Sequence, residues 1–154
     1  ARMPARVGMM DLRRGWRTLG PSDPRTLLIP DWRGNNRMDS LRNIVRDGRV
    51  SLLFLVQGAN ICVRINGLAE VRLDDDLLDQ FDDKGRKPRS VIVVSVAEVY
   101  SQCARALMRA GTWSGEDHSA GLPTVGDFLN EAEADFDGAA YDAAWGDRAE
   151  KTMW

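Results

Sequence analysis

The segment of the chain best suited to chemistry is Gly34-Asn35-Asn36-Arg37, which stands directly ahead of a helical stretch. Backbone N–H groups and the positive end of a helix dipole receive an anion at such a place, and an arginine adds a bidentate, charge-assisted contact to phosphate oxygens. Arg37 is therefore the first candidate for a phosphate ligand, with Asn35, Asn36 and Ser40 as neutral donors. The bland alternatives are turn chemistry for the two asparagines and a surface position for Arg37. Arg105 and Arg109 lie four apart, on one face of a predicted helix. They could reach one anion together or meet an acidic segment of the chain.

Other chemistries have little to draw on. His118 is the only histidine, which leaves a histidine metal site or a serine triad without material. Cys62 and Cys103 are too few for a disulfide framework, and reduced thiols with no visible leader suit a cytoplasmic protein. No apolar run approaches the roughly 18 residues of a membrane span. No general acid or base stands out, and no metal site is expected. Net charge is −2 but unevenly spread. Residues 1–50 carry eleven arginines against five aspartates, whereas Gly115 to Glu150 carry ten acids and one base, Arg148. Two solvated faces of opposite sign explain this, and so does a positive half that receives a phosphate. The acidic total speaks against nucleic acid.

The elements that must position these residues are short. Thr26 to Ile29 is a strand closed by Pro30-Asp31, and a polar loop leads into a helix on which Met38, Leu41, Ile44 and Val45 recur before Asp47-Gly48 ends it. Val50 to Val56 is a nearly unbroken apolar run, interrupted by Ser51 alone, and predicts a strand buried on both faces. Asn66-Gly67 would ordinarily mark a two-residue hairpin. Phase argues otherwise. A hairpin there puts Glu70 and Arg72 on the face of Ile61 and Val63, while one continuous strand keeps Ile61, Val63, Ile65, Ala69, Val71 and Leu73 together. A long strand bent at Gly67 is the better reading. Asp74 predicts a capped short helix with Leu77, Leu78 and Phe81 inward. Val91 to Tyr100 is the last long strand, followed by a helix over 102–110. Thr124 with Asp127 forms a capping-box pattern, and a second tail helix starts near Asp137.

The run Leu28-Ile-Pro-Asp-Trp-Arg-Gly-Asn-Asn-Arg-Met-Asp-Ser-Leu-Arg-Asn-Ile44 resembles one branch of the pyridoxamine 5′-phosphate oxidase-like proteins, the FMN-binding split barrels. Val50-Ser-Leu-Leu-Phe54, Arg64-Ile-Asn-Gly-Leu-Ala69, Cys103-Ala-Arg-Ala-Leu-Met-Arg109 with Trp113, and the Leu-Pro-Thr of the tail continue the pattern in the same order. The resemblance covers roughly residues 25–154. It implies FMN as cofactor and places Cys62 and Arg64 on a strand beside the flavin, a surface-facing Arg64 being the alternative. Arg105 and Arg109 become candidates for a ligand phosphate, and Trp113 either walls the flavin or packs the core. Two departures stand out. The family's preceding helix and strand have no counterpart and only Arg13-Arg14-Gly15 matches its Arg-Gly segment, so either the gene product is longer or the site is altered. Gln102-Cys103-Ala104-Arg105 stands where that branch has His-Cys-x-Lys.

The expected fold is α+β: a mostly antiparallel split β-barrel over residues 1–113 with short peripheral helices, and a helical extension over 114–154 packed on the same domain. The expected function is an FMN-dependent oxidoreductase acting on a small organic substrate. It would work as a homodimer that shares its flavin sites between subunits, with no nucleic acid or membrane partner. Trp113, Trp145 and Trp154 beyond the strands support an interface. The alternatives are a split barrel that binds flavin or haem without redox turnover, and a flavin-free enzyme of specialised metabolism on the same fold.

Overall fold

The computed structural model describes residues 17–18, 23–34 and 36–152. The chain divides into two compact units, Ala1–Trp113 and Ser114–Trp154. In the first, strands β1 (Arg17–Thr18), β2 (Thr26–Asp31), β3 (Arg49–Leu55), β4 (Cys62–Arg72) and β5 (Ser90–Gln102) form one antiparallel sheet in the order β1-β2-β5-β4-β3. Helix α1 (Asp39–Arg46) links β2 to β3, α2 (Asp75–Asp79) links β4 to β5, and α3 (Arg105–Arg109) follows β5. The architecture is α+β. Among the described residues the sheet is open, with β1 and β3 at its edges, so the expected barrel is not closed.

Alternation of side chains along the strands divides the core into two layers. On one face Leu27, Ile29, Ala69, Ile92 and Val94 are buried, and Leu41 and Ile44 of α1 pack over them. On the other face Leu28, Phe81 and Val91 are buried beneath Leu77 and Leu78 of α2. Leu28, Val91 and Val94 are sealed almost completely, and each such burial is worth about 1.5–3 kcal/mol. β2 and β5 supply Leu27, Leu28, Ile29, Val91, Ile92 and Val94, most of the buried apolar residues among those described. Pro30 lies inside β2 rather than closing it. Among the described residues β1 pairs only with Leu27 and Leu28, so no described strand takes a hydrogen bond from the Pro30 position on that side of β2, where proline is tolerated.

β4 runs without a turn through Asn66-Gly67, in keeping with the phase of its side chains. The irregularity falls on its neighbour. Ile65 pairs with Val99 and Asn66 with Glu98, but Gly67 pairs with Val96, which leaves Ala97 as an extra residue in β5. β4 thus keeps its alternation, and Ile65 and Ala69 serve the same core layer. β5 changes phase instead: Ile92, Val94 and Val96 face that layer, and past the bulge Val99 and Ser101 stand opposite Ile65 and Val63. A Cβ on Gly67 would sit 2.3 Å from the Ser95 carbonyl oxygen, so only glycine lets the two backbones approach this closely.

Three expectations need correction. The apolar run of β3 is not buried on both faces: among the described residues β3 pairs only with β4, and Leu53 and Leu55 remain exposed. Asp74 occupies the N-cap position of α2 but makes no side-chain cap; its carboxylate instead takes hydrogen bonds from Arg72 Nε at 2.6 Å and Nη2 at 3.0 Å. Residues 102–104 do not join α3, because β5 extends through Gln102.

The second unit contains α4 (Val125–Ala132), α5 (Gly138–Ala143) and α6 (Trp145–Thr152). The Thr124 capping box forms: Thr124 Oγ1 accepts from the Asp127 N–H at 3.0 Å and Asp127 Oδ2 from the Thr124 N–H at 2.7 Å. The helix expected from Asp137 is broken at Ala144 into two. Gly126 and Gly138 meet backbone to backbone where α4 and α5 cross, and Asp142 Oδ1 accepts from the Gly126 N–H at 2.9 Å. Trp145 is exposed, and Trp154 lies outside the described residues.

Between α1 and β3, Asp47 pairs with Arg49, whose Nε donates to Oδ1 at 2.9 Å. The Arg49 hydrogen bonds lower the Asp47 pKa from 3.8 to about 2. A carboxylate with a lowered folded pKa stabilises the fold above its unfolded pKa and loses that contribution as pH falls through the folded value. The difference in thermal midpoint between the protein and Asp47→Asn should accordingly hold above pH 4 and shrink between pH 4 and pH 2; a constant difference across that window would mean the pair contributes nothing. Gly67→Ala should destabilise the first unit by about 1–3 kcal/mol or more, since overpacking here meets backbone rather than a movable side chain. Urea denaturation checks this, with Gly34→Ala as the comparison, because a Cβ on Gly34 has no heavy atom within 4 Å.

Candidate functional site

Asp31 to Met38 leaves the end of β2 and enters α1, and this loop is one wall of a cavity of about 450 Å³. The exposed side of α1 forms the second wall through Leu41, Arg42, Val45 and Arg46. Val71 and Leu73 from the end of β4, with Arg89 and Ser90 at the start of β5, form the rest. Antiparallel pairing explains the meeting. Asp31 is in register with Ser90, and Arg72 with Val91, so the end of β2, the end of β4 and the start of β5 converge on one side of the sheet.

The cavity is cationic with apolar walls. Arg37, Arg42, Arg46 and Arg89 line it, and among the described residues Asp31 is the one carboxylate beside them. The Asp31 side chain is engaged by Ser90 Oγ at 3.3 Å, and the Arg89 N–H donates to the Asp31 carbonyl at 2.9 Å. Asn36 adopts a left-handed backbone (φ 60°), which asparagine tolerates better than most residues, and its Oδ1 accepts from Arg89 Nη1 at 2.9 Å. Asn36 thereby holds a guanidinium that is distant in sequence at the cavity rim. Trp32 Nε1 is buried and has no hydrogen-bond partner among the described residues.

The candidates named from sequence fall into two groups. Asn36 and Arg37 line the cavity, and Ser40 is exposed on the first turn of α1 nearby. Asn35 lies outside the described residues, as does Arg13-Arg14-Gly15. Cys62, Arg64, Arg105, Arg109 and Trp113 belong to the other end of β4. Cys62 is buried, opposite Gln102. Arg64 Nε donates to Gln102 Oε1, so the residue that replaces the family histidine is held by an arginine from the neighbouring strand. Arg105 and Arg109 are exposed on α3, and Trp113 Nε1 donates to the Ala59 carbonyl at 3.0 Å. Trp113 is 37% exposed and so does not pack the core.

Distance separates the groups. Val71 stands seven positions beyond Arg64 on β4, about 23 Å of strand at about 3.3 Å per residue. The structure does not bring all the named residues to one site within one chain. Sequence reasoning missed Trp32, Arg42, Arg46 and Arg89. Arg42 and Arg46 were legible, since they share a helical face with Leu41 and Val45. Arg89 was not, because its place depends on the register of β2 with β5.

Among the described residues no cluster of histidine, cysteine or carboxylate is arranged to hold a metal ion, and no helix is long and apolar enough to cross a membrane. An antiparallel α+β sheet with a cationic cavity at the head of its first helix is the class these observations define. The family model for pyridoxamine 5′-phosphate oxidase matches residues 5–103, and the chain belongs to that family. No curated protein matches the sequence. Among solved structures, Group A Streptococcus HupZ, carrying V5 and polyhistidine tags, is 15% identical with a TM-score of 0.47, covering 57% of this chain and 69% of that one. A variant of it with one histidine changed to alanine gives the same identity and score, over 56% of this chain and 72% of that one.

Proposed function

We propose that the protein is an FMN-dependent oxidoreductase acting on a small organic substrate. The observation that carries this reading is the cavity beside α1, lined among the described residues by four arginines, a single carboxylate and apolar side chains. A dianionic phosphate needs several cationic or N–H donors, and Arg37, Arg89 and Asn36 offer them at the mouth of the helix. Met38, Leu41 and Val71 offer apolar surface for an uncharged ring system. Bound FMN supplies hydride acceptance, so the protein needs no acid–base pair of its own and serves to bind and orient. Family membership supports the same cofactor.

The separation of the two residue groups bears on assembly. Arg64, Arg105 and Arg109 cannot reach the cavity of their own chain along β4. In a two-fold homodimer, that end of one subunit would complete the site built on the α1 cavity of the other. Exposed Leu53, Leu55 and Tyr100, in register with Cys62 and Arg64 or beside them, give the same end an apolar surface suited to a partner.

A second reading draws on Gln102. An amide held by Arg64 cannot titrate as the imidazole in that branch of the family does, which favours a protein that binds flavin or haem without turnover. The visible spectrum of the purified protein separates the readings: a flavin spectrum bleached by an organic substrate supports the oxidoreductase, a flavin spectrum bleached by a chemical reductant but by no organic substrate supports the binder, and a Soret band supports haem.

Arg37→Ala should weaken FMN binding ten- to hundredfold, because a charge-assisted contact to phosphate is worth about 1.5–3 kcal/mol. Fluorescence titration measures it, and unchanged affinity in a folded variant removes Arg37 from the site. Light scattering of the flavin-loaded protein should give twice the single-chain 17.2 kDa. A single-chain mass at micromolar concentration with flavin bound rules out a shared site.

A further inference from the structure

Asn66-Gly67 sets an asparagine amide beside the one residue type that leaves its backbone nitrogen unshielded. Glycine has no Cβ to block approach to that nitrogen, and asparagine is among the thermolabile residues of proteins. The fold does not permit another residue at 67, since an added Cβ would lie 2.3 Å from the Ser95 carbonyl oxygen. The reactive dipeptide is therefore built into the middle of β4. The reaction open to it is deamidation. The Gly67 nitrogen gives up its proton and attacks Asn66 Cγ, the bond from Cγ to Nδ2 breaks, and ammonia leaves a succinimide ring. Water then opens either ring carbonyl, giving aspartate or isoaspartate, so that one amide and one water become one carboxylic acid and one ammonia.

The sheet withholds this reaction in two ways. β4 is paired on both sides at this point, Asn66 with Ser51 and Glu98, and Gly67 with Val50 and Val96. Bringing the Gly67 nitrogen onto Cγ means turning the peptide between them out of both ladders. The leaving amide is also engaged, because Asn66 Nδ2 donates to Glu98 Oε2 at 2.7 Å. The same features exclude the products from the sheet. Aspartate sets a second carboxylate against Glu98, and like charges directly opposite one another destabilise a strand pair. Isoaspartate lengthens the backbone by one carbon, and the alternation that puts Ile65 and Ala69 in one core layer is lost.

We propose that Asn66 is a deamidation site shielded only by the folded sheet, so that each unfolding of the first unit exposes it to a conversion that bars return to the native pairing. Time spent unfolded is then recorded covalently at one residue, and reversible opening becomes irreversible loss. The proposal is independent of what the α1 cavity binds.

The test incubates the full chain at mildly alkaline pH, in buffer and in guanidinium chloride sufficient to unfold it. Trypsin cuts after Arg64 and Arg72 and frees residues 65–72, on which mass spectrometry counts amide against acid. Methyl transfer by an isoaspartate-specific carboxyl methyltransferase counts the isoaspartate. Amide should disappear about tenfold faster or more from the unfolded chain than from the folded one, because reaction in buffer passes through the rare open state. Chains carrying acid should fail to refold, or refold with a lower denaturation midpoint. Equal rates in the two conditions, no conversion in denaturant, or converted chains that refold with the parent's midpoint would each overturn the proposal. Asn66→Asp reproduces one product and should lower the midpoint. Asn66→Asp/Glu98→Gln, in which amide and carboxylate exchange sides, should recover most of that loss and keeps the test decisive where the single variant does not fold. A double variant no more stable than Asn66→Asp overturns the exclusion of aspartate by Glu98.

Discussion

The contact between Gly67 and the Ser95 backbone governs the architecture. Two central strands approach there more closely than any side chain allows, and the extra residue, Ala97, is taken up by β5 alone. β4 passes the bulge with its alternation intact, so one strand supplies Ala69 and Ile65 to the same core layer while Val71 near its end lines the α1 cavity and Cys62 at its start stands opposite Gln102. Had the extra residue fallen in β4, Val71 would have left the cavity face and a charged neighbour would have replaced it.

Electrostatics divides the first unit along similar lines. Arginines near β3, β4 and α2 lie against carboxylates a few residues away, as in the grip of Arg72 on Glu70 and Asp74, which raises the Arg72 pKa and lowers that of Asp74. These pairs are exposed and local, and surface pairs of this kind add little to stability. Around the α1 cavity the pattern changes. There an asparagine orients Arg89, and Asp31, the only carboxylate in the wall among the described residues, is engaged by a serine at the end of β2. Positive charge is concentrated where the walls are otherwise apolar, an arrangement suited to a ligand with an anionic end and a hydrophobic body.

Local pattern carried much of this into the sequence. The periodicity of Met38, Leu41, Ile44 and Val45 announced α1, the phase of Ile61 to Leu73 argued for one long strand against the Asn66-Gly67 turn signal, and Thr124 with Asp127 announced a cap that forms. Features set by partners were not legible. β3 looks like a central strand because its composition does not reveal that nothing pairs with its outer edge among the described residues. Asp74 looks like a cap because composition does not tell that Arg72 claims its carboxylate. The bend was rightly located at Gly67, but the inserted residue lies in the neighbouring strand, which only register reveals. The cavity was half visible: Asn36 and Arg37 announce themselves beside a helix start, whereas Arg89 arrives through pairing between strands far apart in the chain.

That last pairing has a kinetic consequence. β2 holds three buried apolar residues, Leu27, Leu28 and Ile29, yet its long partner is β5, and Thr26 meets Ser95 only across most of the first unit. During synthesis β2 emerges early and waits for β5 with its apolar faces unsatisfied, while α1, β3 and β4 form between them. Non-local closure of this kind is slow, and a waiting strand is open to association with other nascent chains. α4 and α5, by contrast, meet across a short loop through Gly126 and Gly138 and can form as soon as both are made. Completing the sheet thus requires β5 to enter between β2 and β4.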